Sequence, residues 1–284
     1  QIPGLTFVPT LQPGVSTPVY VAKMSVSYQR LSGRRLGWAL ELEGDPAVRR
    51  AHGDFLTGDD WFARADEWVV AARGVWHHDD WSFEGRHYAV EAGGFEIPLA
   101  GQQFPEPTTA GSSAAALAFA ARHADVHLLS SPERVTLTDE AARLQKAAGE
   151  TGRTVAAGLR LAVIARATED EAKRDFERAL LEVSPGKRGE PARPIEAHLW
   201  AGFDRSAGSH ALVGSYEAVA AKLNELAAQG IHRFVLSGRP HLEEAYRFAE
   251  RVAPRLQGWG IAARVPTIPT THVTPAQVPA GAAV

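Results

Sequence analysis

The residue best placed to do chemistry is Arg160. It lies inside the apolar run Gly158-Leu159-Arg160-Leu161-Ala162-Val163-Ile164. Side chains of a strand alternate between faces. Leu159, Leu161, Val163 and Ala165 share one face and suit packing against helices. Gly158, Arg160 and Ala162 share the other, which becomes the interior if the sheet closes. A buried guanidinium needs a partner. Two readings follow: an internal ion pair with no ligand, or a site for an anion. The natural carboxylates for an internal pair are Glu41 and Glu43, which share the inward parity of an earlier strand.

Four further groups could carry chemistry. Gly111-Ser112-Ser113 follows a strand and opens a helix; a serine there caps orphan amides, and the same helix terminus can hold a phosphate. Arg239 and His241 stand at the end of the last strand and the start of the last helix. Arg205 falls in a polar loop, where a solvated charge is the plain reading. His77-His78-Asp79-Asp80 has the composition of a metal cluster. Adjacent residues make a poor coordination set and no third ligand stands at useful spacing, so it reads as a solvated turn, with no metal.

These residues need elements to hold them. Leu5–Leu11 and Leu36–Leu42 read as strands, and Pro18–Leu31 as a helix with proline near its start. Asp60–Arg73 is an amphipathic helix rich in Trp and Ala. Trp81–Val90 turns at Gly85 and reads as an excursion from the main sheet. A weak strand then ends near Thr109, with a helix over Ser112–Arg122. Val126–Leu129 is a strand, and Glu140–Ala148 lies in the next helix. Val155–Ala165 is a long strand, followed by a helix over Glu169–Glu182. Pro185–Ser209 reads as a polar loop. Tyr216–Ala228 is a helix ended by Gly230, and Phe234–Leu236 leads through Ser237-Gly238-Arg239-Pro240 into a helix from Leu242. Strands alternating with helices imply a parallel sheet with helices outside. The count is six main strands. The unit extends over residues 1–265, and residues 266–284, rich in Pro, Thr and Ala, read as a disordered tail.

Composition removes several functions. The 284 residues carry 30 Lys plus Arg against 33 Asp plus Glu, a balance of −3. That is no nucleic-acid footprint. No apolar run approaches a membrane span, and no secretory signal is visible, so a cytoplasmic location is expected. There are no cysteines, which excludes disulfides, zinc–thiolate sites and thiol catalysis.

The segment Ser237-Gly238-Arg239-Pro240-His241-Leu242-Glu243-Glu244-Ala245-Tyr246-Arg247 resembles the last strand–helix unit of the bacterial-luciferase-like flavin monooxygenases, most of all the alkanesulfonate monooxygenases. The resemblance runs from about Leu5 to Pro254. It implies a (β/α)₈ TIM barrel that starts at the third strand, so the first two βα units are absent. It implies reduced FMN as cofactor, supplied by a separate NAD(P)H-dependent flavin reductase. Oxygen and a small organosulfonate would be the co-substrates, giving an aldehyde and sulfite. Arg160 would line the active site, and Gly111, Ser112 and Ser113 would hold the flavin phosphate. Arg205 would sit in a mobile lid, and His241 at the barrel mouth. Departures are Ala162 where the family has His, Arg239 where it usually has Tyr, and Glu41 and Glu43 near positions of smaller flavin-facing residues. Those departures leave open a non-catalytic paralogue or fragment, or a related enzyme with another substrate. Two open sheet edges would also favour a homo-oligomer.

Overall fold

The computed structural model describes residues 5–42, 45–96, 100–183, 192–203 and 209–258. The chain begins with β1 (Thr10–Leu11), α1 (Pro18–Ser32), β2 (Gly37–Leu40), α2 (Pro46–Ala51) and α3 (Gly58–His77). It continues through β3 (Trp81–Glu84), β4 (Ala89–Gly93), β5 (Glu106–Ala110), α4 (Ala114–His123), β6 (Val126–Leu129) and α5 (Arg134–Glu150). Then come β7 (Ala156–Arg166), α6 (Glu169–Val183), β8 (Arg193–Glu196), β9 (Leu199–Ala201), β10 (His210–Ser215), α7 (Tyr216–Ala228), β11 (Ile231–Ser237) and α8 (His241–Arg247). A π-helical turn over Phe248–Val252 prolongs α8.

Local chemistry explains several boundaries. Pro18 starts α1, and Gly33, at φ 65°, ends it by donating its N–H to the Gln29 carbonyl. Ser113 caps α4 by accepting from the Ala116 N–H at 3.0 Å. Ser215 does the same for α7 through Ala218 at 3.2 Å. The excursion over Trp81–Gly93 is a two-stranded antiparallel hairpin outside the main sheet. Its turn is pinned by the Glu67 carboxylate, which accepts the amides of Arg86, His87 and Tyr88 at 2.9, 2.7 and 3.1 Å.

The main sheet runs β1–β2–β5–β6–β7–β10–β9–β8, with β11 also on β7. Among the described residues, β1, β2, β5, β6, β7, β10 and β11 run parallel, seven strands rather than six. The added strand is β10. The stretch Pro185–Ser209 is not wholly loop either, because it contains the antiparallel pair β8–β9. Pro194 within β8 explains the misreading: proline is tolerated only where a strand need not donate, as on an edge, and β8 is an edge. Residues 266–284 lie outside the described residues.

β7 is 11 residues long and pairs with three strands. Ala156–Leu159 match β6, Ala157–Ala162 match β11, and Ala162–Arg166 match β10. Ala157–Leu159 pair with β6 and β11 at once, so those strands take opposite edges. β1 pairs only with β2, and β11 only with β7, among the described residues. The two edge strands face a cleft of about 670 Å³, lined by Thr6, Val8 and Thr10 on one side and Arg233, Phe234 and Val235 on the other. Arg233 on β11 reaches Glu106 on β5 with two contacts, at 3.0 and 2.9 Å.

Helices cover the other face of the sheet. Leu159, Leu161, Val163 and Ala165 are buried there with side chains of α4, α5 and α7. A second cluster lies between β2, α1 and α3 and is built on tryptophan. Trp38 is fully buried, with Trp68 and Phe104 edge-on at 5.4 and 4.9 Å between centroids. Each indole N–H is satisfied: Trp38 donates to Ser25 Oγ at 3.0 Å, Trp68 to the Ser16 carbonyl at 2.7 Å, Trp76 to the Gln102 carbonyl at 2.8 Å.

One ion network ties the last helix to the end of β7. Arg166 takes Glu244 with both terminal nitrogens at 3.1 and 2.9 Å, and Asp175 through Nε at 2.5 Å. Arg247 joins Glu244 at 2.6 Å. The Arg166 and Glu244 side chains are 13% and 9% exposed. Removing one partner of such a pair strands a charge.

Two outcomes follow from this packing. Trp38→Ala should lower unfolding stability by about 3–5 kcal/mol in urea titration, because the cavity would sit at the centre of the tryptophan cluster. The hydrogen bond from Arg166 is the main cause holding the Asp175 pKa below the usual carboxylate value. A folded pKa below the unfolded one gives stability that is present above about pH 4 and lost as pH falls through the folded value. Arg166→Met should therefore destabilise the chain by about 3 kcal/mol at pH 7 and flatten the acid limb of stability against pH.

Candidate active site

The alternation of β7 sends Arg160 to the face opposite the helices. It lines a cavity of about 350 Å³ with Thr10, Ala39, Glu41, Thr108 and Gly111. It also lines a second, of about 240 Å³, with Ile164, Phe203, His210, Arg239 and His241. Arg160 is thus common to both. The first cavity is shaped by the ends of β2 and β5, by Leu128 on β6 and by Arg160 on β7. The second is shaped by β7, α6, β10 and the turn between β11 and α8.

Arg160 is exposed, not buried. The reason is the open side of the sheet between β1 and β11, which admits solvent to the inner face. No hydrogen bond or ion pair holds its guanidinium among the described residues. The expected pairing with Glu41 does not form. Glu41 accepts instead from Gln12 Nε2 at 2.6 Å. Its place on the inner face is as its parity required, since it lines the first cavity. Glu43 and Arg205 lie outside the described residues.

Arg239 and His241 both line the second cavity and are exposed. Gly238 sits where an added Cβ would lie 2.5 Å from Glu244 Cβ. The Arg166–Glu244 network therefore fixes the turn that presents these two side chains.

Gly111, Ser112 and Ser113 form the turn from β5 into α4. Gly111 has φ 131°, a conformation that side chains disfavour. A buried histidine holds this turn. His127, fully buried, places Nε2 at 2.9 Å from the Gly111 carbonyl and Nδ1 at 2.8 Å from Thr109 Oγ1. The carbonyl only accepts, so Nε2 carries the proton, and in the neutral ring Nδ1 accepts from the threonine hydroxyl. Arg143 donates to the Ser112 carbonyl at 3.4 Å. Only Gly111 of the three lines the first cavity; Ser113 is engaged as the α4 cap.

Sequence reasoning passed over Thr108, His127, Phe203 and His210. The histidine inside Val126-His127-Leu128-Leu129 was a visible signal, a polar residue in an apolar strand. His210 stands just before the Ala211–Val213 run, where a strand was also missed. Phe203 had no signal of its own. His77 and His78 lie at the end of α3, where His78 Nδ1 donates to the Gly74 carbonyl at 2.9 Å.

Residues 5–233 match the profile of the luciferase-like monooxygenases. The fold is also similar to the EDTA monooxygenase of Chelativorans sp. BNC1, with a TM-score of 0.76 and 21% identity, over 92% of this chain and 75% of that one. A long-chain alkane monooxygenase matches with a TM-score of 0.72 and 20% identity, over 89% and 69%. The oxygenating constituent of 3,6-diketocamphane monooxygenase from Pseudomonas putida, in complex with FMN, matches at 0.64 and 18%, over 89% and 80%. At these identities the likeness speaks for the fold, a parallel α/β sheet of the TIM-barrel type, and the profile speaks for descent over most of the chain. The chain belongs to the bacterial luciferase-like monooxygenase family.

Proposed function

We propose that this chain is the oxygenating component of a two-component flavin monooxygenase. In this reading reduced FMN arrives from a separate NAD(P)H-dependent reductase, and the substrate is a small alkanesulfonate. One oxygen atom of O₂ ends in the aldehyde and the other in water, with sulfite and a proton released and two electrons drawn from the flavin. The cofactor supplies the oxygen chemistry when bound.

The observation that carries the reading is Arg160, a guanidinium that lines both cavities and has no protein partner among the described residues. A cation in that position suits a ligand group that is anionic. The first cavity fits a flat ring system. Its volume, about 350 Å³, falls in the usual range for small-molecule sites, and Ala39, Thr108, Ala110 and Gly111 line it without bulk. The Ser112–Ser113 turn at the α4 N-terminus is the proposed phosphate site, since helix amides and the helix dipole favour an anion. The second cavity is the proposed substrate chamber. Phe203 and Ile164 would meet an alkyl chain, and Arg160, Arg239 and His241 would face its charged head. Arg205 is the proposed lid residue. Ala162 leaves room beside Arg160 but no proton-transfer group, so this chain would rely on His241 or solvent to move a proton.

Two measurements test the reading. Reduced FMN titrated anaerobically against tryptophan fluorescence should bind more tightly than oxidised FMN, and Ser112→Asp should weaken it about tenfold or more by repelling the phosphate. With a flavin reductase and NAD(P)H, a medium-chain alkanesulfonate should release sulfite, and Arg160→Ala should abolish that release even at reduced FMN concentrations that saturate the variant. Flavin binding without sulfite release from any alkanesulfonate would retain the flavin and overturn the substrate.

A further inference from the structure

The first cavity carries opposite charges that do not meet. Glu41, at the end of β2, and Arg160, on β7, both line it. No ion pair joins them, and Arg160 has no protein partner among the described residues. Glu41 is held on one side by the neutral amide of Gln12, at 2.6 Å through Oε2. A carboxylate accepts up to about four hydrogen bonds, so Oε1 still has its lone pairs for a ligand. Uncharged residues line the cavity with them, among them Ala39, Thr108, Ala110 and Leu128.

That arrangement selects a kind of ligand edge. A group that is purely anionic gains from Arg160 and is repelled by Glu41. A group with an N–H donor beside carbonyl acceptors gains from both. The pyrimidine edge of an isoalloxazine is such a group, an imide N–H flanked by two carbonyls, and it keeps that proton in both redox states. Resting on the flavin reading above, we infer that Glu41 accepts the imide N–H of the flavin ring while Arg160 donates to the adjoining carbonyl edge. Glu41 is then an orienting residue of the cofactor site. Gln12 is the positioning residue behind it, because its amide fixes one carboxylate oxygen and leaves the other to accept from a ligand.

The inference separates flavin binding from flavin orientation, and one pair of probes tests it. Oxidised FMN and its N3-methyl derivative would be titrated against the full chain, with tryptophan fluorescence as the readout. A hydrogen bond to a charged acceptor is stronger than a neutral one, so N3-methylation should weaken binding to the native chain about tenfold or more. Glu41→Ala should weaken FMN itself and reduce the penalty for methylation to about threefold or less. Glu41→Gln, which keeps the shape and one acceptor, should fall between them, and it serves if the alanine variant does not fold. Equal binding of the two flavins by the native chain would overturn the inference and leave the flavin reading standing. A methylation penalty unchanged in both Glu41 variants would overturn it too, since the methyl group would then meet something other than Glu41. No binding of FMN in either the oxidised or the reduced state would overturn the flavin reading and this inference with it.

Discussion

A strand cannot leave its backbone donors and acceptors unpaired inside a protein, and β7, with 11 residues, has the longest row to satisfy. It draws in β6, β11 and β10 along successive stretches. Everything at the site follows from that sharing. The pairing locks the register, and the register decides that Leu159, Leu161 and Val163 face the helices while Arg160 and Ala162 face the cavities. A slip of one residue would send the guanidinium into the apolar core and the leucines into the site. Each of these three apolar residues on the helix face therefore also fixes the direction of Arg160.

Charge is distributed with the same economy of partners. The deeper ion pairs of the chain are closed. Arg166 is fully occupied by Glu244 and Asp175, and Lys222 by Glu196 at 2.7 Å and Glu225 at 3.1 Å. These pairs join helices to strand ends and set the loops between them. At the inner face the rule changes. Arg160, Arg239 and His241 line cavities with no hydrogen bond or ion pair to protein groups among the described residues. Solvent in the open cleft bears the cost that a dry interior would impose on an unpaired charge. Structural charges are paired here, while Arg160, Arg239 and His241 have no such pairing among the described residues.

The turn after β5 shows a third device. Its conformation at Gly111 is fixed from behind by His127, a side chain on the helix-facing side of β6. The histidine uses one nitrogen to hold the turn and the other to hold Thr109. The geometry of a surface turn thus depends on a residue with no access to solvent, 16 positions later in the chain.

Much of this architecture was legible in the sequence because it is local. The two-residue alternation around Arg160 gave its face and its apolar neighbours. Proline and glycine marked the ends of α1 and α7, the Gly111-Ser112-Ser113 turn marked a serine cap, and Gly85 marked the turn of the hairpin outside the sheet. The strand–helix rhythm gave a parallel sheet. What escaped was non-local. The β8–β9 pair is short and lies in the Pro- and Gly-rich stretch, and β10, which follows it directly, takes its identity as a strand from β7, far back along the chain. Parity placed Glu41 and Arg160 on one face but could not give the distance between them. That depends on how β2, β5, β6 and β7 are spaced in the sheet, and the sheet sets them apart, with Glu41 on Gln12 and Arg160 open to solvent. The sequence determined which side chains face inward, since that is a property of one strand. Only the tertiary structure decided which of them meet, since contact across a sheet depends on strands that share no local sequence.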